Sequence, residues 1–260
     1  MTKLFVVGTG PGDAGLVAPK ARAAIEASTD LVAYGLYLDL LGDVCEGKTH
    51  HDLPLGEEIN RARLALDLAA AGKTTALVSS GDIGIYAMAT LVFELLDRQL
   101  AGDEDHPEWL DVEIEVIPGI SAMQAGAARV GALLGHDFCT VSLSDLLTPW
   151  ETIEQRIHCA GKGDFVISFY NPVSKKRDWQ LNAARDILLQ YRPASTPVLL
   201  GRQLTRADES IRIITLGELD ARDVDMFTLV SVGNSESRHI VNGSKEWIYT
   251  PRGYKKKLSA

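Results

Sequence analysis

Cysteine is scarce in this chain. Cys45, Cys139 and Cys159 are the only three in 260 residues, odd in number and without metal-type spacing. Cys45 with His50 and His51 is the one cluster that resembles a metal site, but adjacent histidines on an extended chain point to opposite sides, so no metal is expected. No uninterrupted apolar stretch approaches membrane-spanning length, and the five-residue apolar run before Gly8 is too short for a signal peptide, so the expected location is the cytoplasm with no membrane partner. Positive charge is also in deficit. A net charge of −9 and a pI near 5.2 argue against a nucleic-acid partner, while leaving room for a local basic pocket. What is present is ordinary: 46% hydrophobic and 23% charged residues, enough for a sizeable core in one large domain or two smaller ones.

The chain opens with an apolar strand, Leu4–Val7, that runs into Gly8, Gly10 and Gly12 and then into a helix. Glycines in such a turn let backbone approach a ligand closely. Gly8-Thr9-Gly10 begins the dinucleotide fingerprint, so a dinucleotide-binding oxidoreductase is one reading. The fingerprint then fails, because Asp13 occupies the third glycine position and the next strand, Leu31–Tyr34, ends on Gly35 rather than on an acid. Pro11 removes one further amide donor. A second pattern, Gly42 to Gly47-Lys48-Thr49, matches a phosphate loop, but His50-His51-Asp52-Leu53-Pro54 cannot start the helix that this mechanism needs.

Strand and helix patterns alternate through the first half. Strands are predicted at Leu4–Val7, Leu31–Tyr34, Thr75–Ser79 and Val112–Ile117, with helices over Pro19–Ala27, Glu57–Ala71 and up to about Leu100. The second half has a small-residue helix, Ser121–Leu133, and strands near Phe138–Leu143, Phe165–Tyr170, Pro197–Leu200, Ile211–Leu216 and Phe227–Val232. The fold class is therefore α/β in two domains: residues 1–117 around a mostly parallel sheet and 118–242 around a mixed sheet, with a weakly ordered tail over 243–260.

Three glycine loops follow strands of the first domain: Gly8 to Asp13, Ser80 to Tyr86, and Pro118 to Ala122. Loops at the carboxyl ends of strands in one sheet share a crevice, which suggests a ligand bound largely by backbone; ordinary turns are the plain alternative. In the second domain Ser174 reads as the N-cap of a helix reaching about Gln190, with Lys175, Lys176 and Arg177 in its first turn. Cations there oppose the helix dipole, which makes sense if an anion sits nearby; the alternative is a solvated surface patch. Arg202 and Arg206 lie in a second polar run.

Taken together, Gly8-Thr-Gly-Pro-Gly-Asp13, Gly81-Asp-Ile-Gly-Ile-Tyr86, Pro118-Gly-Ile-Ser-Ala122 and Phe169-Tyr-Asn-Pro172 resemble the ordered motifs of the tetrapyrrole methyltransferases. Tyr34-Gly35, Leu204 to Ser210, Val224-Asp225-Met226 and Thr250 to Tyr254 are similar to the branch of that family that methylates a precorrin at C17 during cobalamin synthesis. The resemblance covers about residues 3 to 254. It implies two α/β domains with S-adenosyl-L-methionine in the cleft between them, usually as a homodimer. Carried over by position, the cofactor contacts are Pro11, Ser80, Gly81, Asp82, Ile85, Ser121, Ala122, Asn171, Leu204 and Thr228. The substrate implied is a polycarboxylate tetrapyrrole, precorrin-3B, and a basic wall of Lys175, Lys176, Arg177, Arg202 and Arg206 would meet its carboxylates. Gly10, Tyr34 and Tyr86 would border it.

Relatives that methylate uroporphyrinogen carry an acid where this chain has Gly35, which counts against that substrate and that general base. Methylation of another precorrin or cobalt-precorrin stays open, as does a cofactor-sensing module that binds S-adenosylmethionine without turning it over. Methyl transfer itself needs chiefly alignment, whereas the ring contraction linked to the C17 branch needs proton transfers. Tyr34, Tyr86, Asp82 and Arg206 are all candidates for these, and none is singled out as catalytic. For Asp82 the plain reading is a turn carboxylate bonding its own backbone.

Overall fold

In a computed structural model describing residues 3–174, 177–254 and 257, the chain divides after Ser121 into two units. The strand pattern placed this division after Ile117. The following loop stays with the first unit because the Gly119 N–H donates to the Asp82 carboxylate at 3.1 Å.

The first unit runs β1 (Lys3–Gly8), α1 (Pro19–Ala27), β2 (Asp30–Ala33), α2 (Gly35–Asp39), β3 (Thr49–Asp52), α3 (Glu58–Ala70), β4 (Thr74–Ser79), α4 (Met88–Ala101) and β5 (Glu113–Ile117). All five strands are parallel, in the order β3-β2-β4-β1-β5. Both faces are covered, so the central strands are apolar throughout. Leu4, Val6 and Leu77 pack against α3 and α4 on one face; Val7, Ala76 and Val78 pack against α1 and α2 on the other. Pro19 starts α1 at a position where its missing N–H costs nothing, and Gly102, at φ +84°, ends α4.

Two segments of this unit, α2 and β3, escaped the pattern. β3 reads Thr-His-His-Asp and lies at the sheet edge, mostly exposed, so it carries no apolar signature. Its histidines diverge as expected, His50 Nε2 to Cys45 O at 2.9 Å and His51 Nε2 to Asp30 Oδ1 at 2.9 Å. After Gly42–Cys45, a 3-10 turn, the chain enters β3 directly, so no helix follows Lys48.

The second unit comprises α5 (Ala122–Val130), β6 (Gly131–Ala132), β7 (Phe138–Ser142), α6 (Trp150–Lys162), β8 (Val166–Tyr170), α7 (Gln180–Leu188), β9 (Pro197–Arg202), β10 (Ser210–Thr215), β11 (Thr228–Val232), β12 (Arg238–Asn242) and β13 (Lys245–Tyr249). Its main sheet, β10-β9-β11-β8-β7, is mixed: β7 and β8 are parallel and the remaining pairs antiparallel. The α/β class and the parallel-then-mixed order of the two sheets agree with the sequence reading.

The expected tail is instead a hairpin. β13 pairs with β12 and, in parallel, with β6, burying Ile248 completely beside Val130, Leu133 and Leu199. The Thr250 hydroxyl, also buried, donates to Leu133 O. One inward isoleucine among exposed polar neighbours is a weak sequence signal. The helix expected from Ser174 begins only at Gln180, because Ser174 and Arg177 pair with each other in a tight antiparallel bridge. α6, amphipathic over Trp150–Lys162, has no counterpart in the sequence reading.

Candidate functional site

β4, β1 and β5 are neighbours, so the three glycine loops emerge side by side from one edge of the first sheet. The connection after β1 leads to α1 on one face and that after β4 to α4 on the other. Adjacent strands whose connections part in this way leave a crevice at their carboxyl ends, where open α/β sheets bind ligands.

The glycines serve first to let the loops touch each other. Thr9 N–H donates to Ser79 O at 3.0 Å, and Gly10 and Gly81 exchange backbone hydrogen bonds across the crevice. A Cβ on Gly119 would fall 2.2 Å from Gly81 O, and one on Gly8 would fall 2.8 Å from Gly119 N, Gly81 O and Ile83 N. Side chains at these positions would force the loops apart. Asp82 locks the junction, its Oδ1 accepting from Gly84 N at 2.8 Å and its Oδ2 from Gly119 N. The plain reading of Asp82 thus holds for one oxygen, while the other ties two loops together.

This changes what the crevice can bind. The amides of Gly10, Gly81, Gly84 and Gly119 already have protein acceptors, and the Asp13 carboxylate caps its own 3-10 turn through Gly15 N at 2.7 Å. Those amides do not make an anion nest, and two carboxylates at the same edge disfavour a pyrophosphate. A cationic or neutral ligand without phosphate is compatible. Around the junction Pro11 and Ser121 are buried, Gly10 is buried, Ser80, Gly81, Asp82 and Ile85 are half-buried, and Tyr86 is exposed at φ +51°.

Tyr34 follows β2 at the same edge and stands edge-on to Tyr37, with ring centroids 5.5 Å apart. Beside it, Gly35 N–H donates to Asp52 Oδ1 at 2.7 Å. Asp52 comes from the end of β3, a strand invisible in the pattern, so this carboxylate was missed.

In the second unit the carboxyl ends of β8 and β9 and the start of β11 share one edge, which collects Asn171, Leu204 and Thr228. Ala122 opens α5 at this edge, since Met123 N–H donates to the Tyr170 hydroxyl at 3.2 Å. Leu204 is buried between Gln203 and Thr205, both with positive φ, and fits against Gly126 and Gly201. Arg202 Nε donates to Asp225 Oδ2 at 2.7 Å, while Asp225 Oδ1 accepts from the Thr228 hydroxyl and Phe227 N. Burial works against the charge on Asp225, yet the hydrogen bonds from Arg202, Thr228 and Phe227 hold its carboxyl below the ordinary value. Asp225 stands in one of the sequence motifs; only its position opposite Arg202 reveals its role.

Lys175 and Lys176 lie outside the described residues. Arg177 is buried, donating to Ser144 Oγ and Asn171 O, each at 2.9 Å, so its guanidinium knits two loops together. It does not open a helix. Arg206 is half-buried in the turn after Gln203, whose carbonyl accepts its N–H at 3.0 Å.

Residues 3–220 match the sequence profile of the Tetrapyrrole (Corrin/Porphyrin) Methylases. The chain is 45% identical over 252 residues to a precorrin-3B C(17)-methyltransferase of Sinorhizobium sp, covering 96% of each. It is 43% identical over 251 residues to a probable cobalt-factor III C(17)-methyltransferase of Salmonella typhimurium, covering 96% of this chain and 99% of that one. Among solved structures, the methyltransferase CobJ superposes with a TM-score of 0.86 at 40% identity, covering 95% of this chain and 99% of that one.

Proposed function

The chain belongs to the tetrapyrrole methylase family, and on that basis we propose that it transfers a methyl group from S-adenosyl-L-methionine to C17 of a precorrin, coupled to ring contraction, in cobalamin biosynthesis. The observation that carries the reading is 45% identity across 96% of both chains with a relative named for that reaction. The crevice chemistry is consistent with it. Loop amides engaged with one another suit a nucleoside that bears a sulfonium and no phosphate, and the nearby carboxylates of Asp13 and Asp82 suit its positive charge.

When bound, the cofactor supplies an electrophilic methyl group. Pro11, Ser80, Gly81, Asp82, Ile85 and Ser121 from the first unit, with Ala122, Asn171, Leu204 and Thr228 from the second, are the residues proposed to hold it. Their task is alignment. Fixed loops that hold the reacting groups in line can remove about 7–11 kcal/mol from the barrier. Tyr34, Tyr86 and Gly10 are proposed to border the macrocycle, with Arg202 and Arg206 toward its carboxylates. The homodimer and the cytoplasmic location remain part of the same proposal.

The test is incubation with labelled S-adenosylmethionine and either metal-free precorrin-3B or cobalt-factor III. Formation of S-adenosylhomocysteine together with a methylated, ring-contracted product supports the reading and identifies the form used. Cofactor binding without turnover on either macrocycle would leave a sensing module in its place.

A further inference from the structure

The connection between α4 and β5 carries chemistry that methyl transfer does not use. It lies toward the amino ends of the strands, at the edge of the first sheet opposite the glycine loops. There His106 and Glu108, in and beside the 3-10 turn Pro107–Asp111, meet Asp67 of α3. One donor atom from each, His106 Nδ1 and a carboxylate oxygen of Asp67 and of Glu108, lie within 4.8 Å of one another. His106 Nδ1 is 3.2 Å from Glu108 Oε1 and 3.9 Å from Asp67 Oδ1.

Two features set this group apart from an incidental surface cluster. The first is that its donors are held from behind. Trp109, completely buried, donates its indole N–H to Asp67 Oδ1 at 2.8 Å and stacks on the His106 ring at 4.1 Å and 6°. The His106 backbone N–H is fixed in turn by Gln99 Oε1 at 2.7 Å. Outer partners of this kind orient metal ligands. The second is charge. Neighbouring Glu104 is neutralised by Arg63 and Arg98, whereas among the described residues neither Asp67 nor Glu108 forms an ion pair with an arginine or lysine. Two carboxylates converge on one imidazole with no permanent cation between them.

We propose that Asp67, His106 and Glu108 form a site for a divalent transition cation of the zinc class. Bonds of about 2.0–2.2 Å in tetrahedral array separate ligand atoms by about 3.4 Å, a value bracketed by the 3.2 Å and 3.9 Å from His106 Nδ1 to the two carboxylates. One nitrogen and two carboxylate donors leave the fourth position to water, and the imidazole favours zinc, cobalt or nickel over magnesium or calcium. The ion would pin the loop before β5 to α3. This inference is independent of the methyl-transfer reading.

Untagged protein titrated with zinc chloride in a chelator-free buffer above neutral pH tests it by calorimetry. The expected result is one saturable equivalent, with zinc raising the melting temperature. Asp67→Asn and Glu108→Gln, which leave the His106–Trp109 stack in place, should each weaken binding about tenfold or more, and His106→Ala should abolish it. Cobalt(II) should give the intense visible absorption of a four-coordinate ion, lost on adding zinc. No saturable binding, or binding undiminished in Glu108→Gln and His106→Ala, would overturn the site; the second outcome places zinc elsewhere.

Discussion

The carboxylate of Asp52 occupies the space that a side chain at Gly35 would fill: a Cβ there would lie 2.5 Å from Asp52 Oδ2. The two residues are matched, one lacking a side chain and the other filling the gap from the neighbouring strand. Gly35→Ala alone should displace the carboxylate and lose its bond to Gly35 N, at about 1 kcal/mol. In an Asp52→Ala background the three closest obstacles, all atoms of the Asp52 carboxylate, are gone, and alanine favours the first turn of α2 by a few tenths of a kcal/mol to about 1 kcal/mol. The sign of its effect should therefore reverse. A double-mutant cycle in urea measures this; additive effects would show that the pair is not coupled.

Asp82 offers a second test. Asp82→Ala leaves Gly84 N and Gly119 N without acceptors, so both stability and S-adenosylhomocysteine affinity should fall, stability by about 1–3 kcal/mol. Asp82→Asn keeps one acceptor and should lie between wild type and alanine. Urea unfolding and calorimetry on the three proteins separate the two effects. Affinity lost at unchanged stability would mean that Asp82 acts on the ligand alone.

For Arg177 the structure reverses a sequence expectation. Cations opening a helix would oppose its dipole, so neutralising them should stabilise. Arg177 instead sits buried between β8 and α7, donating to Ser144 Oγ and Asn171 O. Arg177→Gln should cost about 2–4 kcal/mol and lower the melting temperature. An unchanged or raised melting temperature would return Arg177 to the surface-patch reading.

Asp225 gives a pH signature. Its folded pKa lies below the ordinary value, so its contribution is complete above the unfolded pKa of about 3.9 and fades as pH falls through the folded value. The pair with Arg202 is largely solvent-screened, worth less than about 1 kcal/mol or at most about 2–4 °C. Wild type should melt above Asp225→Asn near neutrality, and the gap should close below about pH 4. Melting curves across that range decide it; a gap that persists in acid would assign the difference to packing.

Much of this was legible in the sequence, and the exceptions share a cause. Glycine loops between apolar strands and helices announced the carboxyl edge of the first sheet, because strand, turn and helix signals are local. The need for glycine at 119 was not local: it is imposed by Gly81 O and Gly8, brought close only by strand pairing. Ser174 looked like a helix cap because its neighbours in sequence fit one, yet its partner is Arg177. β3 and the final hairpin lacked apolar periodicity, and with β3 went Asp52.

Strand order also fixes when the first sheet can be completed. β1 leaves the ribosome before both of its partners, since Lys3 pairs with Thr74 on one side and with Glu113 on the other. Until β5 has been made, the earliest strand has an open edge, and unpaired edges of apolar strands invite association with other chains. The loop junction needs Gly119, later still. A nascent chain therefore carries its first glycine loop without Gly81 and Gly119, the partners that give it shape, until β4 and the segment after β5 have been made.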